Sequence, residues 1–340
     1  MKKKAKPFMI LGLIAIVGYF GWFCWVVNNH RYDLGPVDGW ENNRSRDVSL
    51  YIQPDNLTSI LLPGKFCKNK TDLLIMITST PTNFDERNVI RETWASDKII
   101  QNFNVDYYFM LGEVTNDTLQ DQLTHEYNEH NDIIQEQFLD TYNNLTLKSL
   151  MTLKVVTKHC TNSVKYIMKT DDDMFVNVPL LIKYLKRRRG KSDLFGSLIQ
   201  KAPPVRQTSS KWKAPYYLYD KDAYPDYLSG TGYVMSLDVV QKLYKTSFDT
   251  PIYYLEDVYI TGMLPVNAKL KPKNHPGFSY LKREMDMCIY LTAITAHHVN
   301  ETEMRLLYDL LRRTNLQKDC KKKPQNKRQK TPQRAIRRVF

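Results

Sequence analysis

The sequence predicts an α/β fold with a mostly parallel sheet, in a single domain over residues 71–313. One observation is a continuous apolar run of strand length, followed by two further segments that read as strands. Another is the alternation of these segments with segments of helical spacing over about 100 residues. Strands that alternate with helices form βαβ units, whose strands lie side by side in parallel. The predicted strands are Leu73–Thr78, Val105–Met110 and Lys165–Lys169, and the predicted helices are Asn88–Ile100 and Leu145–His159.

Residues 8–27 are predicted to form one transmembrane helix ahead of this domain. The stretch carries no charged side chain and would span roughly 30 Å as a helix, which matches the hydrocarbon core of a bilayer. Lysines crowd residues 1–7, so we expect this short tail to stay cytoplasmic. A cleaved signal peptide is the alternative, but its apolar region is shorter and ends in small residues, whereas the Phe23–Trp25 segment is bulky.

The net charge of +13 lies at the two ends of the chain. Four lysines among the first six residues supply four charges, and residues 314–340, with ten basic residues and one acidic residue, supply nine. Residues 7–313 are therefore neutral, which argues against a nucleic-acid partner. Residues 28–70 are polar and interrupted by Gly and Pro, so we expect a lumenal stem there. Few apolar residues and many charges predict a basic, disordered tail over residues 314–340.

Two features predict that the chain beyond the span faces a secretory lumen. Asn-x-Ser/Thr sequons occur at Asn43, Asn56, Asn69, Asn116, Asn144 and Asn300. Cysteines beyond the span occur at Cys67, Cys160, Cys288 and Cys320. An even number of cysteines in an oxidising compartment suggests two disulfides, and the sequence leaves all three pairings open.

Three consecutive carboxylates, Asp171, Asp172 and Asp173, follow a predicted strand. Adjacent like charges repel one another and add nothing to stability, which points to a binding role. Ligands of open α/β sheets bind beyond the carboxyl ends of the strands, where this triplet lies. Its oxygens suit Mg²⁺ or Mn²⁺. The alternatives are a solvated loop and a helix cap near Pro179, although Asn177 is better placed as the cap.

Five stretches match, in order, the motifs of a known family. They are ERNVIRETW (86–94), NNLTLKSL (143–150), YIMKTDDDMFVN (166–177), YPDYLSGTGYVMS (224–236) and LEDVYITG (255–262). Through these motifs the chain resembles the β-1,3-glycosyltransferases of the Golgi, and most closely the β-1,3-galactosyltransferases, over residues 72–313. The resemblance implies a single-pass type II Golgi membrane protein with a Rossmann-like, nucleotide-sugar-binding fold of the GT-A type. It also implies an inverting enzyme that uses Mn²⁺ and transfers galactose from UDP-galactose to a glycan on a protein or lipid.

The same resemblance assigns roles to acidic and histidine residues of this sequence. Asp173 is expected to contact the metal directly, and Asp171 and Asp172 are expected near the ribose of the nucleotide. His297 is expected as a second metal ligand, because imidazole binds Mn²⁺ beside a carboxylate. The adjacent His298 is the alternative ligand.

Basic residues of two motifs are expected to hold the donor. Arg87 and Arg91 lie four residues apart on one helical face, so both could reach a diphosphate. A structural pairing with Glu86 or Glu92 is the alternative. Lys148 is expected to help hold the donor, or else to be a solvated helix lysine.

The last two motifs are expected to carry the chemistry. Gly230 and Gly232 allow the backbone to approach a ligand closely, and the resemblance places them beside the donor sugar and the acceptor. It assigns Asp257 as the base that takes the proton of the acceptor hydroxyl, and Glu256 as its neighbour in acceptor binding. A helix-starting acidic pair is the alternative. The family motif usually runs Glu-Asp-Val-Tyr-x-Gly, and Thr261 makes this copy one residue longer.

Two other functions stay open at this point. Related transferases share these motifs, so the donor could instead be UDP-N-acetylglucosamine or UDP-N-acetylgalactosamine. A protein of another class, a membrane-tethered glycan-binding module with a structural Ca²⁺, would also use clustered acids. Asp257 and the arginine pair favour the enzyme over the binding module.

Overall fold

The computed structural model describes residues 36–96, 99, 103–161, 163–311 and 320. The predicted cytoplasmic tail (1–7), the anchor (8–27) and all of the basic tail (314–340) except Cys320 lie outside these residues. Across the stretches that are described, no helix is both long and apolar enough to cross a bilayer.

The strands and helices of the described residues are numbered in chain order. The strands are β1 (Ser59–Leu61), β2 (Thr71–Thr78), β3 (Val105–Glu113), β4 (Ile133–Leu139), β5 (Val164–Asp171), β6 (Phe175–Val176), β7 (Leu194–Ile199), β8 (Tyr227–Ser236), β9 (Lys273–Asn274) and β10 (Thr295–Ala296). The helices are α1 (Val48–Ile52), α2 (Phe84–Glu92), α3 (Asp117–His130), α4 (Leu145–His159), α5 (Val178–Leu185), α6 (Leu237–Ser247), α7 (Glu256–Val258), α8 (Leu264–Asn267), α9 (Met287–Tyr290) and α10 (Glu301–Leu311). A π-helical turn, Tyr259–Met263, joins α7 to α8.

The main sheet has eight strands in the order β1-β4-β3-β2-β5-β8-β7-β9. Its centre is parallel, because β2 pairs in parallel with both β3 and β5, and β3 pairs in parallel with β4. Strands β1 and β8 run antiparallel to their neighbours. The predicted mostly parallel α/β sheet is therefore confirmed, and a mixed sheet with a parallel centre fits the GT-A type.

The strand order reverses between β2 and β5. From β2 the chain adds β3 and then β4 on one side, and it returns to add β5 on the other side. Such a reversal opens a crevice at the carboxyl ends of the two strands, which is the usual ligand site of an open sheet. Thr78 at the end of β2 pairs with Asp171 at the end of β5, so the aspartate triplet begins at this point.

The central strands are buried on both faces. In β2 seven of the eight residues are buried, and Leu73, Ile75 and Ile77 lie in one apolar cluster with Ile90 and Trp94. Parallel strands that are covered by helices on both faces have continuous apolar sequences, and β2 could therefore be predicted from the sequence. The buried sheet gives the ends of β2 and β5 a rigid base.

Of the two predicted helices, one is confirmed and the other has the wrong bounds. The helix Leu145–His159 is confirmed at both ends, whereas the prediction of Asn88–Ile100 is wrong at both ends, because α2 runs from Phe84 to Glu92. Acidic residues in its first turn favour an N-terminus at that point. At the other end, the Thr93 hydroxyl donates to the Val89 carbonyl at 2.6 Å and competes with the next helical bond.

Part of the predicted stem is folded. Within residues 28–70, α1 buries Val48 and Ile52, and β1 pairs with the edge strand β4. The buried Lys154 donates to the carbonyl of Ile52 at 2.7 Å and to the Thr58 hydroxyl at 2.6 Å. These contacts involve short elements whose apolar residues are too few to form a visible period.

The cysteines form two disulfides, as predicted, and the structure selects the pairing. Cys67, just before β2, is bonded to Cys160 at the end of α4. Cys288 in α9 is bonded to Cys320.

The described residues fall into two compact units. The larger comprises residues 45–202 and 224–311 with Cys320, and the smaller comprises residues 36–44 and 203–223. Within the smaller unit, the Arg206 guanidinium donates to the carbonyl of Tyr219 at 2.8 Å and lies over the ring of Tyr216. The Val37 N–H donates to the hydroxyl of Tyr217 at 3.1 Å.

Candidate active site

The aspartate triplet lies at the end of β5, and its members bond to different groups. Asp172 is half-buried and accepts from the Ser79 hydroxyl at 2.7 Å and from the Asn83 amide at 3.0 Å. Burial raises the pKa of Asp172, and the neighbouring carboxylates of Asp171 and Asp173 raise it further. Asp172 therefore anchors the triplet to the loop that follows β2.

Asp171 is held by a buried lysine of its own strand. Lys169 lies two residues earlier and therefore on the same face of β5. Its Nζ is 2.6 Å from Asp171 Oδ1, 2.7 Å from the carbonyl oxygen of Gly230 and 3.8 Å from Glu256 Oε2. Burial alone would lower the pKa of Lys169, but Asp171 and Glu256 outweigh it and raise that pKa. Lys169 thus connects the triplet with the acidic pair of α7.

Asp173 meets both predicted histidines. Asp173 Oδ2 is 3.3 Å from His297 Nε2 and 3.3 Å from His298 Nδ1. The short ladder between β6 and β10 brings these segments together, since Phe175 pairs with Ala296. His297 Nδ1 lies 2.8 Å from the Tyr280 carbonyl oxygen and donates to it, which leaves Nε2, the nitrogen that faces Asp173, available to bind a metal.

Glu256 is buried and its carboxylate is satisfied within the protein. Its Oε1 accepts from the Ser149 hydroxyl at 2.8 Å and from the Tyr233 hydroxyl at 2.7 Å, and its Oε2 faces Lys169. These bonds fix the start of α7. The structure therefore supports a positioning role for Glu256.

Asp257 has the more open carboxylate of the pair. It is half-buried, and its Oδ1 accepts from the Val258 N–H at 2.8 Å. Burial and then the adjacent Glu256 raise the pKa of Asp257 to about 7. A carboxylate with a pKa near neutrality is about half ionised at neutral pH, and its ionised form can accept a proton.

The glycines of β8 have different surroundings. A Cβ on Gly230 would lie 3.0 Å from Glu256 Oε2 and 3.4 Å from Asp257 Cβ, so this glycine lets β8 lie against the acidic pair. A Cβ on Gly232 would make only ordinary contacts, the nearest at 3.5 Å. Gly262, which the extra residue displaces along the chain, lies against Tyr227, where a Cβ would be 3.0 Å from that of the tyrosine.

The arginine pair forms an internal ion-pair network. Arg87 is completely buried, and its five N–H donors are used by the Ser79 hydroxyl, the carbonyls of Thr80 and Pro81, and both oxygens of Glu126. Arg91 pairs with Asp132 at 2.8 Å and with Glu126 at 2.8 Å.

These bonds correct the expectation of direct diphosphate contact for Arg87, because that side chain has no donor left. The structural alternative had named Glu86 or Glu92, and the partner is Glu126 of α3 instead. Arg87 acts on the site through Ser79, whose hydroxyl accepts from Arg87 at 3.1 Å and donates to Asp172.

Lys148 belongs to the same supporting layer. It is buried rather than solvated, and its Nζ is 2.6 Å from the Ser79 carbonyl oxygen and 2.8 Å from Asp140 Oδ1. Burial lowers the pKa of Lys148, and Asp140 counteracts that effect. Ser79 is therefore held by Lys148 through its carbonyl and by Arg87 through its hydroxyl.

A family model described as "Galactosyltransferase" matches residues 85–276, which contain the triplet and the acidic pair. The chain belongs to this galactosyltransferase family. It is 37% identical over 249 residues to the mouse and human proteins named beta-1,3-galactosyltransferase 1, and the match covers 73% of this chain and 76% of each relative. It is also 33% identical over 299 residues to human beta-1,3-galactosyltransferase 2, across 82% of this chain and 69% of that protein. The protein is thus a glycosyltransferase of the β-1,3-galactosyltransferase family.

The side chains around Asp173 are of the types that bind a divalent metal ion. One carboxylate oxygen and two imidazole nitrogens, from Asp173, His297 and His298, lie within 4.8 Å of one another. Carboxylate and imidazole together suit Mn²⁺. The fixed tautomer of His297 makes it the better oriented of the two histidines.

Sequence reasoning missed two residues that organise this galactosyltransferase site. Lys169 was assigned only to a strand, although its spacing of two from Asp171 predicts that both lie on one face. Ser79 gave a weaker signal, as the first polar residue after the buried run of β2. Its contacts with Arg87, Lys148 and Asp172 depend on the strand order and could not be read locally.

Proposed function

We propose that this protein transfers galactose from UDP-galactose to a sugar hydroxyl of a glycan acceptor and forms a β-1,3 linkage. The observation that carries the proposal is that Lys169 contacts both the aspartate triplet and the acidic pair. Asp173 of the triplet lies with two histidines that could hold a metal, and Asp257 of the pair has a pKa of about 7. The names of the relatives support galactose as the transferred sugar.

The chemistry is a single in-line displacement. The acceptor oxygen forms a bond to the anomeric carbon as the bond from that carbon to the UDP oxygen breaks, and UDP leaves with the bonding electrons. The hydroxyl proton passes to the Asp257 carboxylate, which has to be within hydrogen-bond reach of that oxygen. One displacement inverts the configuration, so the α-linked donor gives a β-linked product.

Asp173 and His297 are the residues that would hold Mn²⁺. When bound, the ion supplies Lewis-acid stabilisation of the charge on the departing diphosphate. Lys169 keeps Asp171 in place, and Arg87 and Lys148 keep Ser79 in place. These side chains pre-organise the donor site and do not themselves react.

The test is release of UDP with Mn²⁺ and a panel of acceptor sugars, using each UDP-sugar in turn. We expect turnover with UDP-galactose and little with UDP-N-acetylglucosamine or UDP-N-acetylgalactosamine. A preference for either N-acetylated donor would replace galactose in the proposal. Binding of glycan without release of UDP from any donor would contradict the enzyme reaction and favour the binding module.

We further propose that the protein resides in the Golgi membrane as a single-pass type II protein with its catalytic domain in the lumen. The apolar stretch 8–27, the flanking lysines and the two disulfides support this arrangement. Protease treatment of intact vesicles should remove an N-terminal tag and leave the domain intact. A protected tag would contradict this orientation.

A further inference from the structure

The turn after Asp257 is irregular and contains a buried threonine. Thr261 lies in the π-helical turn Tyr259–Met263, in which the Leu264 N–H reaches the Tyr259 carbonyl five residues earlier. A π-turn is the way a helix accommodates one extra residue, and such turns are frequent at functional sites. Thr261 therefore lies in an irregular helical turn that follows Asp257 directly.

The hydroxyl of Thr261 connects this turn to β8. Thr261 is completely buried, and its Oγ1 accepts from the Leu228 N–H at 2.8 Å. The same oxygen lies 2.6 Å from the Asp257 carbonyl and 3.0 Å from the Leu228 carbonyl. A hydroxyl has one proton and donates to one of these at a time, the closer being the Asp257 carbonyl.

Strand β8 thus contacts the Asp257 region at two points. Leu228 reaches the backbone of Asp257 through Thr261, and Gly230 lies against the Asp257 side chain, where a Cβ on the glycine would be 3.4 Å from Asp257 Cβ. Leu228 and Gly230 are two residues apart on one strand, so they repeat at the period of the pleat. Loss of the contact through Thr261 would therefore loosen the contact between Gly230 and Asp257.

We propose that Thr261 is a positioning residue, whose hydroxyl holds the turn that carries Asp257 against β8. This inference rests on the proposed role of Asp257 as the base.

The charged and polar groups that face Asp257 determine how its pKa would change if the turn were less firmly held. Glu256 lies beside it on α7, Lys169 faces it from β5, and Tyr227 faces it from β8. The Gly230 N–H favours the ionised form of Asp257. A turn that moves Asp257 away from Gly230 should therefore make Asp257 harder to ionise and shift the acidic limb of the pH–rate profile upward.

The experiment compares Thr261→Val, which removes the hydroxyl at similar volume, with Thr261→Ser, which keeps it. For Thr261→Val we expect kcat about tenfold lower, on the order of one lost hydrogen bond. We also expect the acidic limb to rise by about half a pH unit or more, with UDP affinity in Mn²⁺ unchanged. Thr261→Ser should restore both kcat and the pH profile.

A Thr261→Val enzyme with the wild-type pH profile and kcat would overturn the positioning role, even if it unfolds more easily. If Thr261→Val does not fold, Thr261→Cys provides the same comparison, because a thiol is a much weaker donor. Asp257→Asn is assayed alongside. If Asp257→Asn keeps wild-type turnover, the proposed base fails, whereas an inactive Asp257→Asn with an unaffected Thr261→Val rejects only this inference.

Discussion

Lys169 donates from its buried ammonium group to Asp171 Oδ1 at 2.6 Å, across two residues of the same strand. The same ammonium donates to the Gly230 carbonyl and lies 3.8 Å from Glu256. One cation therefore links the strand that ends in the aspartate triplet with the strand and helix that carry the acidic pair. The donor side and the base side of the site share this group.

Replacing this cation should destabilise the fold. Lys169→Met would leave Asp171 and the buried Glu256 without their cation, and we expect the free energy of unfolding to fall by about 3 kcal/mol. Lys165→Met is the matched control, because Lys165 is exposed on the same strand. Urea denaturation of the three proteins measures the difference. An equal decrease in the free energy of unfolding in both variants would contradict the role proposed for Lys169.

The histidines can be distinguished by metal dependence. His297→Ala removes the oriented Nε2 ligand, so we expect Mn²⁺-dependent UDP binding to weaken at least tenfold, with a smaller effect for His298→Ala. His125→Ala, at an exposed position of α3, is the control. Calorimetric titration of UDP at several Mn²⁺ concentrations gives the affinities. Wild-type UDP binding that is insensitive to a chelator would reject the metal site.

The rate should depend on pH through Asp257. Because its pKa is raised to about 7, Asp257 is mostly protonated below that pH and cannot act as a base. We therefore expect log(kcat/KM) for the acceptor to rise with a slope near one up to about pH 7 and then to level off. The measurement is a series of initial rates at saturating UDP-sugar and Mn²⁺. A profile that is flat between pH 5 and 8 would contradict this assignment.

The network behind the triplet predicts a further effect. Arg87→Lys keeps the charge but cannot serve the five acceptors of the guanidinium, so we expect about 2 kcal/mol lower stability and weaker UDP binding through a displaced Ser79. The exposed Arg187→Lys serves as the control. Thermal denaturation and UDP titration measure the two effects. Weaker UDP binding with unchanged stability would contradict this supporting role of Arg87.

The sequence predicted those parts of the site that depend on local pattern. The triplet follows the predicted strand Lys165–Lys169, which indicated a position at the carboxyl end of a strand in an α/β sheet. Asn177 as the cap of α5 was also correct, since its side chain accepts from the Leu180 N–H. Such features are fixed within a few residues of the chain.

The remainder depends on pairings between distant segments. Arg87 finds Glu126 39 residues later, and Ser79 meets Asp172 93 residues later. Only the strand order brings these residues together. No local pattern distinguishes an arginine that binds phosphate from one that is fully used inside the protein, so the role of Arg87 was predicted incorrectly.

The most direct test of the account is Asp257→Asn, which is nearly isosteric and cannot take a proton. We expect UDP and Mn²⁺ binding near the wild-type level and transfer reduced at least about a hundredfold, a loss that more donor does not restore. Between pH 4 and 7 the folded protein holds the Asp257 proton more tightly than the unfolded chain, so this carboxyl lowers stability as pH rises. The variant should therefore be at least as stable as wild type at pH 8, which excludes misfolding as the cause. Wild-type turnover in Asp257→Asn would contradict the account and make Glu256 the next candidate for the base.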